Sequence, residues 1–308
     1  MSGETPPAST CAVTFSLGAR RLLTIERKVA TLAFPLEGIL AGRVPPVPSL
    51  TSVEGLRVLS APLAAEERLR SAMPGFLIGA RDAYARRYID MAGTYEEYLD
   101  RFSAKTRSTL RRKRRKFEQA SGGALELRSY RTPDEVERFV QFALPLSRRT
   151  YQARLLDAGL PESEAALKEM RQLAAGDRLR AFLLFLDGEP AAYLYLPVTG
   201  ETLVYAHLGY DPAHARLSPG TVLQMAALEA LFAEQRFRYF DFTEGDGEHK
   251  ALFGTDSVEC ASFLMLHPTI ANRTLLGSLA TFDMVVAGAK TLATKCGVEK
   301  LTRRLLRT

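Results

Sequence analysis

Tyr205–Gly254, YAHLGYDPAHARLSPGTVLQMAALEALFAEQRFRYFDFTEGDGEHKALFG, is the stretch that decides how the chain is read. Its pattern predicts a strand, a polar loop, a Ser-Pro-Gly turn, a helix, a short apolar strand and an acidic, glycine-rich loop. A turn that delivers Pro219-Gly220 into a helix exposes N–H groups with no acceptor inside the helix. Together with the helix dipole, these groups form a seat for an anion. The loop after the next strand is crowded with Asp241, Glu244, Asp246, His249 and Lys250. An anion seat beside titratable side chains is the minimum equipment for group transfer from a phosphate-bearing carrier.

Upstream of this stretch, Leu179–Leu186, Pro190–Val198 and Leu203–Tyr210 predict three strands. Asp187-Gly188 and Thr199-Gly200 mark the turns of an antiparallel meander. Thr132 and Pro161 begin helices, the first with Pro in its first turn and acids following. Downstream, Glu248–Phe253 predicts a short helix, Val258–Leu266 a strand and Thr269–Cys296 a long helix, with a basic C-terminal helix after it. A meander that crosses through a helix into a further strand makes a mixed sheet with helices on both faces, an α/β arrangement.

The first half is less distinctive. Residues 1–10 are rich in Pro, Ser and Thr and predict disorder. Ala12–Phe34 holds two strand-like runs, and Pro45, Pro46 and Pro48 stiffen a loop between Ile39 and Ser60 before the strand GLRVLSA. Gly75–Ala80 is apolar, Arg86–Met91 reads as a strand, and Thr94 to Glu97 has capping-box spacing. Ser103 begins a helix that closes at Gly122-Gly123. These punctuation points divide the chain into 11–122, 123–267 and a helical 268–308.

With 308 residues, 46% hydrophobic, the chain can bury a sizeable core. Its net charge of +6 is concentrated. Lys105–Lys116 (KTRSTLRRKRRK) holds eight basic residues in twelve, on a helix spanning 105–119. Like charges at that density repel, so an anionic partner is expected there: a carrier-protein helix, an RNA backbone, an acidic peptide or a lipid headgroup. Without interleaved aromatics or any Trp, sequence-specific nucleic-acid reading is not expected. Cys11, Cys260 and Cys296 have no metal-ligand spacing, so no metal is expected. No secretory signal and no membrane-spanning run is read, so a cytoplasmic location is expected.

The segments SAKTRSTLRRKRRKFEQASGG, LLFLDGEPAAYLYLP, GYDPAHARLSPGTVLQMAALEAL and RYFDFTEGDGEHKALFG, in that order, resemble the GNAT acyltransferases. Within these they resemble the BioF2-like or CelD (BcsL)-like branch, which is related to the Fem-type transferases. The resemblance spans roughly residues 88–266. It implies a GNAT-like fold, with 11–122 as a degenerate GNAT-like half in a pseudo-tandem chain. It also implies N-acyl transfer to an amine of a sugar, peptide or metabolite. The acyl donor would be acyl-CoA or an acyl-phosphopantetheine carrier or, in the Fem branch, an aminoacyl-tRNA; an inactive scaffold that binds a carrier or polyanion is a further reading.

By the same resemblance, Leu203–Gly209 is the splayed strand along which pantetheine lies, and Arg216–Thr221 is the phosphate turn. That turn has one glycine and a proline where GNAT turns usually have two small residues. Tyr210, Arg216, Ser218, Gly220, Thr221 and Lys250 are therefore expected to hold the donor. Asp241, Glu244, Asp246, His249, Tyr205 and His207 are the candidates for chemistry. His249 alone has a near-neutral reference pKa, as a base for the attacking amine needs. Asp241, between Phe240 and Phe242, is costly to bury unless paired, and the choice between a structural and a functional role stays open.

Overall fold

A computed structural model describes residues 9–17, 20–150, 159–245 and 247–295. The C-terminal basic helix, Cys296, Asp246 and nearly all of the N-terminal disorder expected from the sequence lie outside the described residues.

In chain order the elements are β1 (Ser9–Leu17), β2 (Arg20–Ala33), α1 (Leu36–Leu40), β3 (Gly55–Pro62), α2 (Leu63–Ala72), β4 (Leu77–Asp90), α3 (Tyr95–Asp100) and α4 (Ala104–Ala120). Then come β5 (Glu126–Tyr130), α5 (Pro133–Arg149), α6 (Glu164–Ala175), β6 (Leu179–Leu186), β7 (Glu189–Thr199), β8 (Thr202–Val204) and β9 (His207–Tyr210). A 3-10 turn (Pro212–Leu217) leads to α7 (Pro219–Ala233), β10 (Tyr239–Asp241), α8 (Glu248–Phe253), β11 (Asp256–Leu266) and α9 (Ile270–Lys295).

Three sequence expectations are corrected here. Leu77–Asp90 is one strand, β4, which takes in most of Gly75–Ala80 and all but the last residue of Arg86–Met91. Its charged middle is tolerated because Arg81 donates to both oxygens of Glu66 at 2.9 and 3.2 Å. The helix expected from Pro161 starts at Glu164, since Ser163 supplies the cap by accepting from Ala166 N. Leu203–Tyr210 is two strands rather than one. The capping boxes at Thr94 and Thr132 form as expected.

The chain divides into two compact units, one of residues 1–86, 244–246 and 258–308, the other of 87–243 and 247–257. By contacts, then, the basic helix α4 falls in the second unit, on the other side of the boundary from β1–β3. In the first unit β1 and β2 form an antiparallel hairpin, β2 runs parallel to β3, and β3 runs antiparallel to β11. Phe34, Leu56, Val58 and Met265 pack with Leu69 of α2; Val13, Val29, Leu264 and Leu266 pack with Leu275 and Leu279 of α9.

The second unit holds the strands in the order β10, β8, β7, β6, β5, with β9 on β7. Every residue of β6 is buried, as expected of a strand covered on both faces. On one face Tyr98, Leu110 and Phe117 of α3 and α4 join the apolar side chains of α7; on the other, Val136, Phe139 and Met170 of α5 and α6 cover Leu183 and Phe185. The result is a mixed α/β unit, with β10 parallel to β8 and the meander antiparallel.

Candidate active site

The register of the meander creates the central feature. Val198 of β7 lies opposite Leu203, but Tyr195 lies opposite His207. Three steps along β7 therefore oppose four along its partner, a one-residue bulge spanning Val204–Ala206. Before the bulge, β8 pairs with β10 in parallel, from Thr202↔Tyr239 to Val204↔Asp241, and Tyr205 N donates to Asp241 O at 2.9 Å. After it, β9 stays with β7 while the chain beyond Asp241 turns away. Thr243 takes a left-handed conformation (φ 62°), and its N–H donates to Asp241 Oδ1 at 2.9 Å. Among the described residues no strand pairs with the other edge of β9, so backbone groups there remain open to an extended ligand.

At the far end of β9 the chain passes through the 3-10 turn into α7. Asp211 accepts from Ala213 N at 2.9 Å and starts the turn. Ser218 adopts a left-handed conformation (φ 55°, ψ 47°), and Pro219 follows at the first helical position. The first helical hydrogen bond runs from Val222 N to Ser218 O at 3.1 Å. The N–H groups of Gly220 and Thr221 precede it, and Pro219 has none. A Cβ on Gly220 would stand 3.1 Å from Leu208 Cδ2 and 3.2 Å from Tyr210 Cδ1, so glycine lets the helix start lie directly on β9.

The basic helix contributes to this turn, which sequence reasoning missed by treating it as a separate surface. Lys113 Nζ donates to Thr221 Oγ1 at 3.4 Å, and Lys116 Nζ donates to Arg216 O at 3.0 Å. Leu110 and Phe117, buried against the unit's core, fix the rotation of α4 that delivers both lysines. Gln224 was also missed. It lies one turn beyond Gly220 on the same face of α7, only 2% exposed, and its Nε2 has no partner. The signal in the sequence was a lone amide in the apolar run VLQMAAL.

The candidates for chemistry separate into groups. The Tyr205 ring lies 5.8 Å from Phe240, 5.4 Å from Phe242 and 5.9 Å from His249, and the His249 ring is 6.2 Å from Phe242. Tyr205 and His249 thus meet where the β8–β10 pairing ends. Burial drives the Tyr205 phenol pKa well up, so it stays protonated. His249 is exposed as a residue, yet ring burial and then the charge of Lys250 pull its pKa below the usual imidazole value. The resulting neutral ring can accept a proton near pH 7. Asp241 is 1% exposed and accepts from the Thr243 turn.

The other candidates lie apart from that group. His207 lies against Tyr195, with ring centroids 6.0 Å apart and the rings tilted by 44°, on the α5 side of the sheet. Glu244 belongs to the first unit and lines a cavity of about 390 Å³ there with Arg57, Arg81 and Ser262. Among the described residues no cluster of His, Cys, Asp or Glu is disposed to hold a metal ion, and no helix is long and apolar enough to cross a membrane.

The bulged strand thus parts from its parallel neighbour and leads, through the 3-10 turn, to a helix start whose first N–H groups have no acceptor inside the helix. Residues 104–251, just under half of the chain, match the family described as "Acetyltransferase (GNAT) domain". The solved structure of FemX aligns with a TM-score of 0.53 at 10% identity, over 84% of this chain and 89% of that one, a likeness of fold. L-PGS from Bacillus licheniformis aligns at 0.48 and 13% identity, over 86% of this chain and 85% of that one. A tandem GNAT protein from the clavulanic acid biosynthesis pathway aligns at 0.42 and 18%, over 70% and 64%. A search of curated proteins finds no match.

Proposed function

We propose that the second unit is an N-acyltransferase that moves an acyl group from a thioester donor to an amine by direct attack. The observation that carries this reading is the bulge at Val204–Ala206, which leaves the edge of β9 open directly ahead of the Gly220–Thr221 helix start. The pantetheine arm lies along β9, and its phosphate sits against the N–H groups of Gly220 and Thr221, with Lys113, Lys116 and Arg216 around it. The thioester then lies at the Tyr205–His249 end. The amine nitrogen attacks the acyl carbon, the C–N bond forms and the C–S bond breaks. His249 takes the ammonium proton, and the second proton that the nitrogen loses as the tetrahedral adduct collapses passes to the departing thiolate, which leaves as the thiol. Tyr205, held protonated, offers a hydrogen bond to the departing sulfur.

The Ser218-Pro219-Gly220 form of the turn supports a place in the BioF2-like or CelD-like branch. The first unit is a degenerate GNAT-like half, and the acceptor is an amino group of a sugar, peptide or small metabolite met in the cytoplasm. Native mass spectrometry and thermal shift against acyl-CoAs of two to sixteen carbons test the reading. A binder raises the melting temperature by mass action. Absence of binding by any thioester donor, with wild-type folding intact, would refute it. An aminoacyl-tRNA donor is favoured by one observation, the density of positive charge on α4, and loss of transfer on RNase treatment would select it.

A further inference from the structure

We propose that the acyl group arrives on an acidic carrier protein bearing a phosphopantetheine arm, and that the outward face of α4 is the surface on which that carrier docks. The inference rests on the acyl-transfer reading above.

The eight basic residues of α4 are not equivalent. Arg107 donates to the carbonyls of Asp100 and Phe102 at 3.1 and 2.9 Å. Arg114 bridges Glu118 at 2.9 Å and Glu229 at 2.7 Å. Lys113 and Lys116 turn to the start of α7. Lys105, Arg111, Arg112 and Arg115 are exposed and have no partner among the described residues. At 100° per residue these four lie on the side of the helix opposite buried Leu110 and Phe117. From Lys105 to Arg115 they span about 15 Å along the axis. Unpaired like charges three and four residues apart cost the helix about 0.2–0.5 kcal/mol per pair, a cost that an anionic partner reverses.

The position of the face selects the partner. The helix that presents these four cations also places Lys113 and Lys116 at the seat proposed for the donor phosphate. In a carrier-borne arm the protein surface follows directly on the phosphate. In coenzyme A the same place is taken by a nucleotide with one further phosphate, too little charge to answer four cations. The seat is short of backbone donors: Pro219 has no N–H, so backbone donation starts at Gly220. One phosphodiester suits it better than a diphosphate. The buried Gln224 amide, unpartnered on the helix face that carries Gly220, is a donor suited to a carbonyl of the arm. The face has no aromatic side chain for stacking bases, and its length fits one helix with Asp and Glu at three- and four-residue spacing.

The test uses the full chain and four probes: the thioesters octanoyl-CoA, octanoyl-phosphopantetheine and an acidic acyl carrier protein in its octanoyl form, and a tRNA. Binding is measured by calorimetry at 50 and 300 mM salt for wild type, Arg112→Glu/Arg115→Glu, and Arg138→Glu as a charge reversal elsewhere on the unit. We expect the carrier protein to bind at least about tenfold more tightly than octanoyl-phosphopantetheine at low salt. That advantage should vanish in the double variant and at 300 mM salt, while Arg138→Glu keeps it. If the double variant fails to fold, Arg112→Gln/Arg115→Gln replaces it. A carrier protein no tighter than the small donors, or an advantage that survives charge reversal, overturns the docking proposal. Tighter binding of tRNA than of carrier protein, lost in the double variant, also overturns it and assigns the face to RNA. Failure of all three thioesters to bind refutes acyl transfer itself and is thereby distinguished from failure of the docking surface.

Discussion

Replacing Gln224 by Met separates what this residue does for folding from what it does for the donor. The side chain is 2% exposed, and its amide nitrogen meets no acceptor. An unsatisfied buried donor costs about 1–3 kcal/mol. Methionine has nearly the same length and volume without the amide, so repacking returns at most about 1 kcal/mol of that relief. The expected net is a stabilisation of about 1 kcal/mol, read as a higher guanidinium midpoint with unchanged slope, or a melting temperature raised by about 2–4 °C. If the amide serves the pantetheine arm, the same substitution removes one neutral hydrogen bond, about 0.5–1.5 kcal/mol, and weakens octanoyl-phosphopantetheine binding about two- to twelvefold. Stability and affinity then move in opposite directions. An unfolding free energy lowered by more than about 1 kcal/mol would refute the orphan reading, because it requires that the amide was satisfied. A gain in stability with unchanged affinity would remove Gln224 from the donor site.

Titration of the His249 ring by NMR should give a pKa below 6.5 in the folded protein, and Lys250→Met should move it upward by removing the neighbouring charge. Because the folded value is depressed, the unfolded chain binds more protons in the window just below 6.5. The His249 contribution therefore disfavours folding progressively as pH falls through the folded pKa, and stability rises with pH across that window. Asp241→Asn keeps an oxygen acceptor for the Thr243 N–H and should fold with a loss under about 1 kcal/mol, whereas Asp241→Ala leaves that turn without its acceptor and should cost about 1–3 kcal/mol by chemical denaturation. Burial pushes the Asp177 carboxyl up, but Arg131, Arg180 and Arg236 outweigh it and hold its pKa at about 2, so its stabilising contribution is present above the ordinary value of 3.8 and is lost as pH falls from there toward 2. Arg180→Met, which strips Glu234 and Asp177 of a guanidinium that is 3% exposed, should cost about 3 kcal/mol, the low end for a broken buried pair because both carboxylates are partly solvated.

The helix after Ser218 was legible because Pro and Gly at a helix start leave a mark that apolar periodicity confirms. The meander was legible because Asp187-Gly188 and Thr199-Gly200 punctuate three apolar runs. The bulge was not: LVYAHLGY reads as one strand, since an extra residue in a register has no compositional signature and exists only against β7. Alternation along the broken strand misleads in the same way, so His207 joins Tyr195 while Leu208 and Tyr210 meet Gly220. The crowded loop after β10 was legible as titratable but not as divided. Glu244 is three residues from Asp241 in sequence, yet it lines a cavity of the first unit, because Thr243 reverses the chain between them. Nor does a run of eight basic residues announce which of them point inward. That depends on Leu110 and Phe117, two apolar positions whose spacing fixes the helix rotation only once the core they enter is known.

The open edge of β9, the proposed donor cleft, arises from two local events that must coincide. On one side, the bulge at Val204–Ala206 lets β9 remain with β7 while losing register with β8. On the other, Thr243 enters a left-handed conformation that a β-branched residue adopts at a cost of about 1–2 kcal/mol, and the buried Asp241 carboxylate meets part of it by accepting the Thr243 N–H. Either event alone would leave β9 and the continuation of β10 able to pair, and a paired edge has no backbone groups for a ligand. This gives the buried carboxylate an architectural task that does not need it to move a proton: it holds the turn that opens the strand. That leaves His249, whose ring lies 5.9 Å from Tyr205 at the point where the pairing ends, as the proposed base. On the proposed reading the open edge and the base both depend on the Thr243 turn, and a substitution that relaxes it should displace the His249 ring and close the edge of β9 together.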